Sequence, residues 1–185
     1  MRAPLSRDRL FERPDEQPGL LATLREDWEA NGRDWSRAGF RALAAYRFNH
    51  WRRGRSAPVR RLLYLPARTL YRYARNRYGI ELPPTATIGR RLRLPHQHGI
   101  VVHELAVIGD DCTIQQGVSL CFATDPSEAP TLGNGVQVGA NAVIYGRVTI
   151  GDGASVGPNT VVTTDVSAGA TLFAPPARVI GTSSG

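Results

Sequence analysis

The sequence predicts a mainly β protein: a parallel β-helix of hexapeptide repeats, preceded by an α-helical region. Two observations carry this. A large aliphatic residue returns at every sixth position through Leu132, Val138, Ile144, Ile150, Val156 and Val162, and Gly follows four of these six, at Gly133, Gly139, Gly151 and Gly157. A small or β-branched residue stands four places after each aliphatic, at Val136, Ala142, Val148, Ala154, Thr160 and Val166. Neither the alternation of a half-buried strand nor the 3.6 spacing of a helix keeps such a frame. In a parallel β-helix each coil buries one large side chain per flat face and needs its neighbours to complete the core.

The 185 residues suffice for one domain, or for a domain with a helical appendage. Residues 1–18 are rich in Arg, Asp, Glu and Pro without apolar periodicity, which predicts a mobile end. Residues 19–79 form the expected helical region. Leu21, Leu24 and Trp28 are at helical spacing in a helix over 20–30, which Asn31-Gly32 breaks. A second helix starts at Trp35-Ser36 and runs to Gly54, with Phe40, Leu43, Ala44, Phe48 and Trp51 on one face. Pro58 opens a third, given an apolar face by Leu62, Leu63, Leu70, Tyr71 and Ala74 and closed by Gly79 after Tyr78.

The β-helical region is expected over 80–185, its frame starting near Ile88. Ile88, Leu94 and Ile100 hold one register; a two-residue shift then moves the series to Val102, Ile108, Ile114 and Leu120. Residues 121–131 abandon the period and contain Asp125-Pro126 and Ala129-Pro130, which reads as a loop leaving one corner. After Val166 the frame is lost, and Pro175-Pro176-Ala177-Arg178 lies in an extended terminal segment.

The formal charge is +7, and every one of the 23 basic residues is Arg. Between Arg37 and Arg77 there are 12 Arg and no acidic residue. Such a run either forms the solvated faces of two amphipathic helices or meets phosphates or an anionic membrane, so a peripheral membrane contact stays open. No stacking motif or groove-reading helix accompanies it, which argues against nucleic acid. Cys112 and Cys121 lack metal-type spacing, and no secretory leader or bilayer-length apolar run is present, so a reduced, cytoplasmic protein is expected.

Three of the four histidines cluster at His96, His98 and His103, where the frame shifts. His98 falls in the small-residue slot after Leu94 and reads as a packing residue. His103 follows Val102 at a corner and reads equally as a corner stabiliser or a functional group. His96 lies at a turn near Gly99 and is the candidate general base. Glu81 stands fifteen residues upstream, and one coil takes roughly 18 residues, so its carboxylate can approach His96 from the coil below. A carboxylate on one ring nitrogen sets the tautomer and raises basicity at the other. The pair would suit deprotonation of a hydroxyl attacking a thioester; otherwise Glu81 is an exposed charge at the helix-to-sheet junction.

The stretch Gly39-Phe40-Arg41-Ala42-Leu43-Ala44-Ala45-Tyr46-Arg47-Phe48-Asn49-His50-Trp51 resembles the G-F-x-A-L-x-A-Y-R-x-x-H-W helix that precedes the β-helix in serine O-acetyltransferases. The likeness continues through Pro84-Thr85-Ala86-Thr87-Ile88-Gly89, His96-Gln97-His98-Gly99-Ile100-Val101-Val102, the hexapeptides and Pro176-Ala177-Arg178, over roughly residues 24–180. It implies a left-handed β-helix, against the usual crossover hand, a homotrimer with sites between subunits, acetyl-CoA as donor and no metal. It gives His96 the general-base role, through the match of Leu94-Pro95-His96-Gln97-His98-Gly99 to L-D-H-x-x-G. It makes Glu81 the partner, in place of the family's Asp. It also places the CoA arm against glycine turns, matched by Gly139-Ala140 and Gly157-Pro158; in the matching Pro-Ala-Arg segment Ala177 joins the expected cofactor contacts, and Arg178 reads equally as a contact to CoA phosphate or as a structural residue.

The departures concern the acceptor. Pro95 replaces the Asp that helps to hold the amino acid, and Glu128-Ala129-Pro130 replaces the R-H-P that grips the serine carboxylate. Cys121 and Phe122 make the loop entry bulkier than the family's L-G-G. Gln97, His98 and Glu104 complete the expected acceptor side, with Asp34 approaching from the helical region. An acid where the family has Arg should repel free serine. The expectation is an O-acetyltransferase acting on a sugar or a specialised-pathway intermediate, with serine itself as the alternative. The chain lacks the longer tail ending in Ile through which some family members engage cysteine synthase, so that docking is not expected. Two other classes stay open: a metal-dependent protein of the carbonic anhydrase type, using His98 and His103, and a non-catalytic scaffold built on the basic helices.

Overall fold

The structure, a computed structural model, describes residues 19–176 and residue 178. The segment expected to be mobile at 1–18 and the chain from 179 onward lie outside the described residues. Four helices come first: α1 (Leu20–Ala30), α2 (Ala38–Arg53), α3 (Ala57–Leu62) and α4 (Tyr64–Tyr78). Thirteen short strands follow, from β1 (Ile80–Glu81) to β13 (Thr171–Leu172). All strand pairs are parallel, and they stack into three sheets that form the faces of a left-handed prism of about five coils.

The first face, which bears the candidate site, is built from β1, β3 (Ile100–Val102), β6 (Ser119–Cys121), β9 (Val143–Tyr145) and β12 (Val161–Val162). The second stacks Thr87–Ile88, Val107–Ile108, Thr131–Leu132 and Thr149–Ile150. The third stacks Thr113–Ile114, Gln137–Val138, Ser155–Val156 and Thr171–Leu172. The repeat aliphatics point inward: Ile108, Ile114, Leu120, Leu132, Ile144 and Ile150 are fully buried, and the small-residue slots Cys112, Val136, Ala142 and Ala154 lie beside them. One large and one small side chain per face thus fill the interior of the prism.

The departures from six-residue spacing fall at corners. Ile80 pairs with Ile100 and Ile88 with Ile108, so the first coil is longer than the regular 18-residue step between Val101 and Ser119. The surplus lies after Leu94, and Ile100 and Val102 both remain buried. Residues 122–130 leave the corner between β6 and Thr131, while Cys121 and Thr131 themselves belong to strands. The coil does not end at Val166. Val166 bridges Ile150, and Leu172 pairs with Val156, so the frame slips by two residues and resumes.

The helical region differs from expectation in three places. Trp35 and Ser36 lie in a turn ahead of α2, because the Asp34 carboxylate accepts from the Ser36 amide (2.7 Å) and hydroxyl (2.6 Å). The third helical pattern is two helices that break at Leu63. Its apolar face is not buried as a unit: α4 packs through Ala67, Ala74 and Tyr78, whereas Leu62 and Leu70 face solvent at 77% and 46% exposure. Small residues on α4 allow its close approach to α2 and leave the longer leucines outside.

Helix α2 docks on the first coil. Gly39 lies against the Leu94 backbone, where a β-carbon would collide with the Leu94 carbonyl. The buried Tyr46 hydroxyl donates to the Ala86 carbonyl (2.9 Å) and accepts from the Ile88 amide (3.2 Å); burial pushes its pKa up to about 12. The Arg47 guanidinium donates to Asp27 (2.7 Å) and to the carbonyls of Ile88 and Gly89. Asp27 is fully buried and also accepts from the Arg91 amide (3.1 Å). Burial raises the Asp27 carboxyl, and Arg47 pulls it back. Asn31 donates to the Leu92 carbonyl and accepts from the Leu94 amide.

Arg47→Met leaves Asp27 buried without its charge partner and should cost about 3–5 kcal/mol in urea unfolding, whereas Arg47→Met with Asp27→Leu should recover much of the loss. A double variant no more stable than the single would show that Asp27 needs no cation. Glu26 is held below its ordinary 4.5 mainly by its hydrogen bond from Arg90. Its stabilisation is therefore present above about pH 4.5 and lost as pH falls through the lowered value. Urea midpoints should drop in that window, and Glu26→Gln should flatten the drop.

Candidate active site

Along the edge between the third and first faces, corner residues stack in register. The Gly117 amide donates to the His98 carbonyl (3.0 Å), the Asn141 amide to Gln116 (2.9 Å) and the Asn159 amide to Ala140 (2.8 Å). His98, Gln116, Ala140 and Pro158 thus form one column, although they span sixty residues of sequence. His96 lies at the lower end of this edge, on the enlarged corner formed by Pro95, His96, Gln97, His98 and Gly99, all exposed. The candidate base and the candidate donor turns therefore share one edge of the prism.

His98 does not pack in the core. Its φ is 74°, its ring is exposed, and its amide donates to the Tyr78 carbonyl (2.8 Å). The two surplus residues of this corner remove the small-residue slot assigned to it. Gly139 and Gly157 have a packing reason: a β-carbon on Gly139 would stand 2.7 Å from the Pro158 nitrogen, and one on Gly157 would meet the Phe173 ring. Their amides are committed to Val156 and Leu172. Ala140 is half-exposed, and its amide, like that of Gln116, has no partner among the described residues, so it is a candidate donor on this edge. Pro158 has none to offer. Arg178 is exposed, and Ala177 lies outside the described residues.

Glu81 projects from the first face beside Val101. Its Oε1 accepts from the Tyr71 hydroxyl (3.0 Å) and lies 3.9 Å from Arg75 Nη1, both on α4. Burial and this bond push the Tyr71 pKa up to about 12, so the phenol stays protonated. Glu81 and His96 make no hydrogen bond or ion pair with each other, and Oε2 of Glu81 has no partner among the described residues.

The acceptor-side residues separate. His103, Glu104, Cys121, Phe122 and Glu128 lie at the other edge of the first face. There the His103 ring meets Phe122 edge-on (centroids 5.4 Å apart) and accepts from the Leu105 amide at Nδ1 (3.3 Å). Cys121 is half-buried and burial raises its thiol pKa. Glu104 is exposed. Glu128 lies in a loop whose Asp125 caps Ser127 and which contains no cation. Asp34 is occupied by Ser36, whose bonds lower its pKa. Within one chain the candidate donor edge and the candidate acceptor edge thus flank the first face from opposite sides. Its outward Val101 (43% exposed) and Val161 (65% exposed) lie bare between them.

Tyr71, Arg75 and Gln116 are not singled out by any motif of the sequence. For Gln116 the coil count carries a signal, since it precedes Ala140 by 24 residues, the 18-residue coil lengthened by the loop; the structure adds that its Oε1 is buried without a partner among the described residues. Nothing in the helix pattern indicated that Tyr71 and Arg75 meet Glu81. Among the described residues no three His, Cys, Asp or Glu come together as a metal site, and His98 and His103 stand at different corners.

The coil geometry and the six-residue frame define a hexapeptide-repeat β-helix protein, and residues 129–164 match the model of the bacterial transferase hexapeptide family (six repeats). WcaB of Escherichia coli strain K12, named as a colanic acid biosynthesis acetyltransferase, is 36% identical over 130 residues, covering 67% of this chain and 78% of that protein. The serine acetyltransferase of Helicobacter pylori strain 26695 is 42% identical over 112 residues, 60% of this chain and 62% of that enzyme. The apoenzyme structure of soybean serine acetyltransferase superposes with a TM-score of 0.73 at 32% identity, over 93% of this chain and 74% of that one. The chain belongs to the serine acetyltransferase family of hexapeptide-repeat acyltransferases, as a divergent member, and is an acetyltransferase whose family uses acetyl-CoA.

Burial raises the Cys112 thiol to about 11, and its sulfur contacts the Gly133 carbonyl (3.1 Å). Iodoacetamide at pH 7 should therefore leave Cys112 unmodified in the folded protein, and Cys121→Ser should keep acetyl transfer within about threefold. Loss of turnover in Cys121→Ser would instead indicate an acyl-cysteine route.

Proposed function

We infer that this chain moves acetyl from acetyl-CoA to a hydroxyl by direct attack, with His96 as general base and an acceptor other than free serine. The observation that supports it most is the shared edge of exposed His96 and the free Ala140 amide. A pantetheine arm running along the corner column past Ala140 would bring its acetyl thioester toward His96. His96 takes the proton of the acceptor hydroxyl as that oxygen attacks the thioester carbonyl, then gives it to the departing thiolate. Tyr71 and Arg75 hold Glu81 through Oε1, which leaves Oε2 free to steady the imidazolium once the His96 ring turns toward it. Arg178 would meet CoA phosphate.

A homotrimer would complete the site. The loop edge of one chain would then lie against the donor edge of the next, with the bare valines of the first face covered between them. The loop would bring Glu128 and Asp125 to the acceptor with no cation to receive a free amino acid's carboxylate. A sugar hydroxyl carries no such charge, and the likeness to WcaB supports that acceptor class. The likeness to the Helicobacter pylori enzyme supports serine as the second reading.

Thiol release from acetyl-CoA should be acceptor-dependent with sugar hydroxyls and weak with L-serine. His96→Ala should lower kcat roughly 10²–10⁴-fold. Undiminished turnover in that variant would remove the proposed base, and serine as the best acceptor would restore the second reading. Tyr71→Phe should reduce kcat by about tenfold with little change in KM, because it loosens a bond to a charged group.

A further inference from the structure

The helical region holds groups that neither the transfer site nor the docking of α2 uses. Where α2 meets α3, Arg52, Arg53, Arg60, Arg61 and Tyr64 line a cavity of about 420 Å3. Arg52 builds its floor. It is buried, donates to the Arg60 carbonyl (2.8 Å) and to Asn49 Oδ1 (3.1 Å), and lies over the Tyr64 ring. Arg53, Arg60 and Arg61 are exposed and meet no carboxylate among the described residues. Three guanidiniums around one hollow repel one another until an anion enters, and the guanidinium fork matches phosphate oxygens.

Beside this hollow stand exposed apolar side chains: Val59 and Leu62 on α3 and Leu65 in the first turn of α4 are 38%, 77% and 68% exposed and form an apolar ridge. Arg61, Arg68 and Arg72 are spaced four and three residues from Leu65 or one turn beyond, so cations flank the ridge. Hydrocarbon side chains beside unpaired guanidiniums fit a boundary where acyl chains lie beneath anionic phosphate. A second copy of this chain would bring the same positive face against itself and be repelled. A nucleic acid would neutralise the arginines but leave Leu62 and Leu65 in water. No helix among the described residues is long and apolar enough to cross a membrane, so the contact would be peripheral.

We propose that the outer face of α3 and α4 docks on an anionic phospholipid surface. A lipid phosphate occupies the hollow between Arg53, Arg60 and Arg61, and Val59, Leu62 and Leu65 enter the acyl boundary. The contact is independent of which acceptor the transfer site takes.

Co-sedimentation of the full chain with vesicles tests this. Phosphatidylcholine mixed with phosphatidylglycerol should bind it, and phosphatidylcholine alone should not. Arg60→Glu with Arg61→Glu should weaken binding by about tenfold or more, since each cation near the surface contributes roughly 1 kcal/mol. Leu62→Ser with Leu65→Ser should abolish the part of binding that survives high salt. All four residues are exposed, so circular dichroism and acetyl transfer to a soluble acceptor should stay unchanged in both variants. Equal binding to the two vesicle types, no binding, or binding untouched by the substitutions would overturn the proposal. So would binding of inorganic pyrophosphate at the hollow without vesicle association, which would assign it to a free phosphate. Self-association that disappears in Leu62→Ser/Leu65→Ser, with no lipid binding, would assign the ridge to a second copy.

Discussion

The buried pair of Asp27 and Arg47 joins the two halves of this molecule. An ion pair taken out of water is costly unless further hydrogen bonds surround it. Here they do: the carbonyls of Ile88 and Gly89 accept from Arg47, and the Arg91 amide donates to Asp27. These backbone groups belong to the first coil, which has no coil below it to pair with at that face. The helices act as a cap that supplies the missing partners. End coils of a solenoid need a cover for their open core, and α1 and α2 provide it through polar bonds as well as through Ala42, Leu43 and Tyr46 of α2.

The same cap sets the geometry of the candidate site. Gly39 presses on Leu94, Asn31 holds the Leu92 carbonyl and the Leu94 amide, and the Tyr78 carbonyl receives the His98 amide. The enlarged corner that presents His96 is therefore held at both ends by helical residues. Helix α4 also brings Tyr71 and Arg75 to Glu81. A helical region that looks separable in sequence is part of the site's support. The G-F-x-A-L-x-A-Y-R-x-x-H-W stretch is thus a docking element: Gly39, Tyr46, Arg47 and His50, the last near the Pro84 carbonyl (3.2 Å), all face the first coil. It is specific because each of these contacts depends on one residue type at one position.

Most of the solenoid was legible because its repeat carries its own register. Each aliphatic of the frame must point inward, so the coil positions of Leu132 to Val162 followed from counting. Two features broke the count for physical reasons. His98 leaves its slot because two surplus residues bulge at the corner, and Val166 takes an aliphatic position opposite Ile150 rather than a small-residue slot because the chain is two residues short between Val162 and Val166, which hides the fifth coil. The outward side of the helices was less legible. A pattern of Leu62, Leu70 and Tyr71 looks like a buried face, but Ala67 and Ala74 let α4 approach α2 so closely that the small residues are covered instead.

By itself the sequence determined the coil, its six-residue frame, the irregular corner at His96 and the family likeness, since all depend on local spacing that any neighbouring coil would read alike. Only the tertiary structure decided which side chains meet. Stacking coils brought His98, Gln116, Ala140 and Pro158 into one column, and folding the helices back put Tyr71 and Arg75 on Glu81 rather than leaving that carboxylate to His96 alone. It also separated the His96 and Ala140 edge from the loop edge across the first face. Such relations depend on coil length, corner insertions and helix packing summed over many residues, and no single motif encodes that sum.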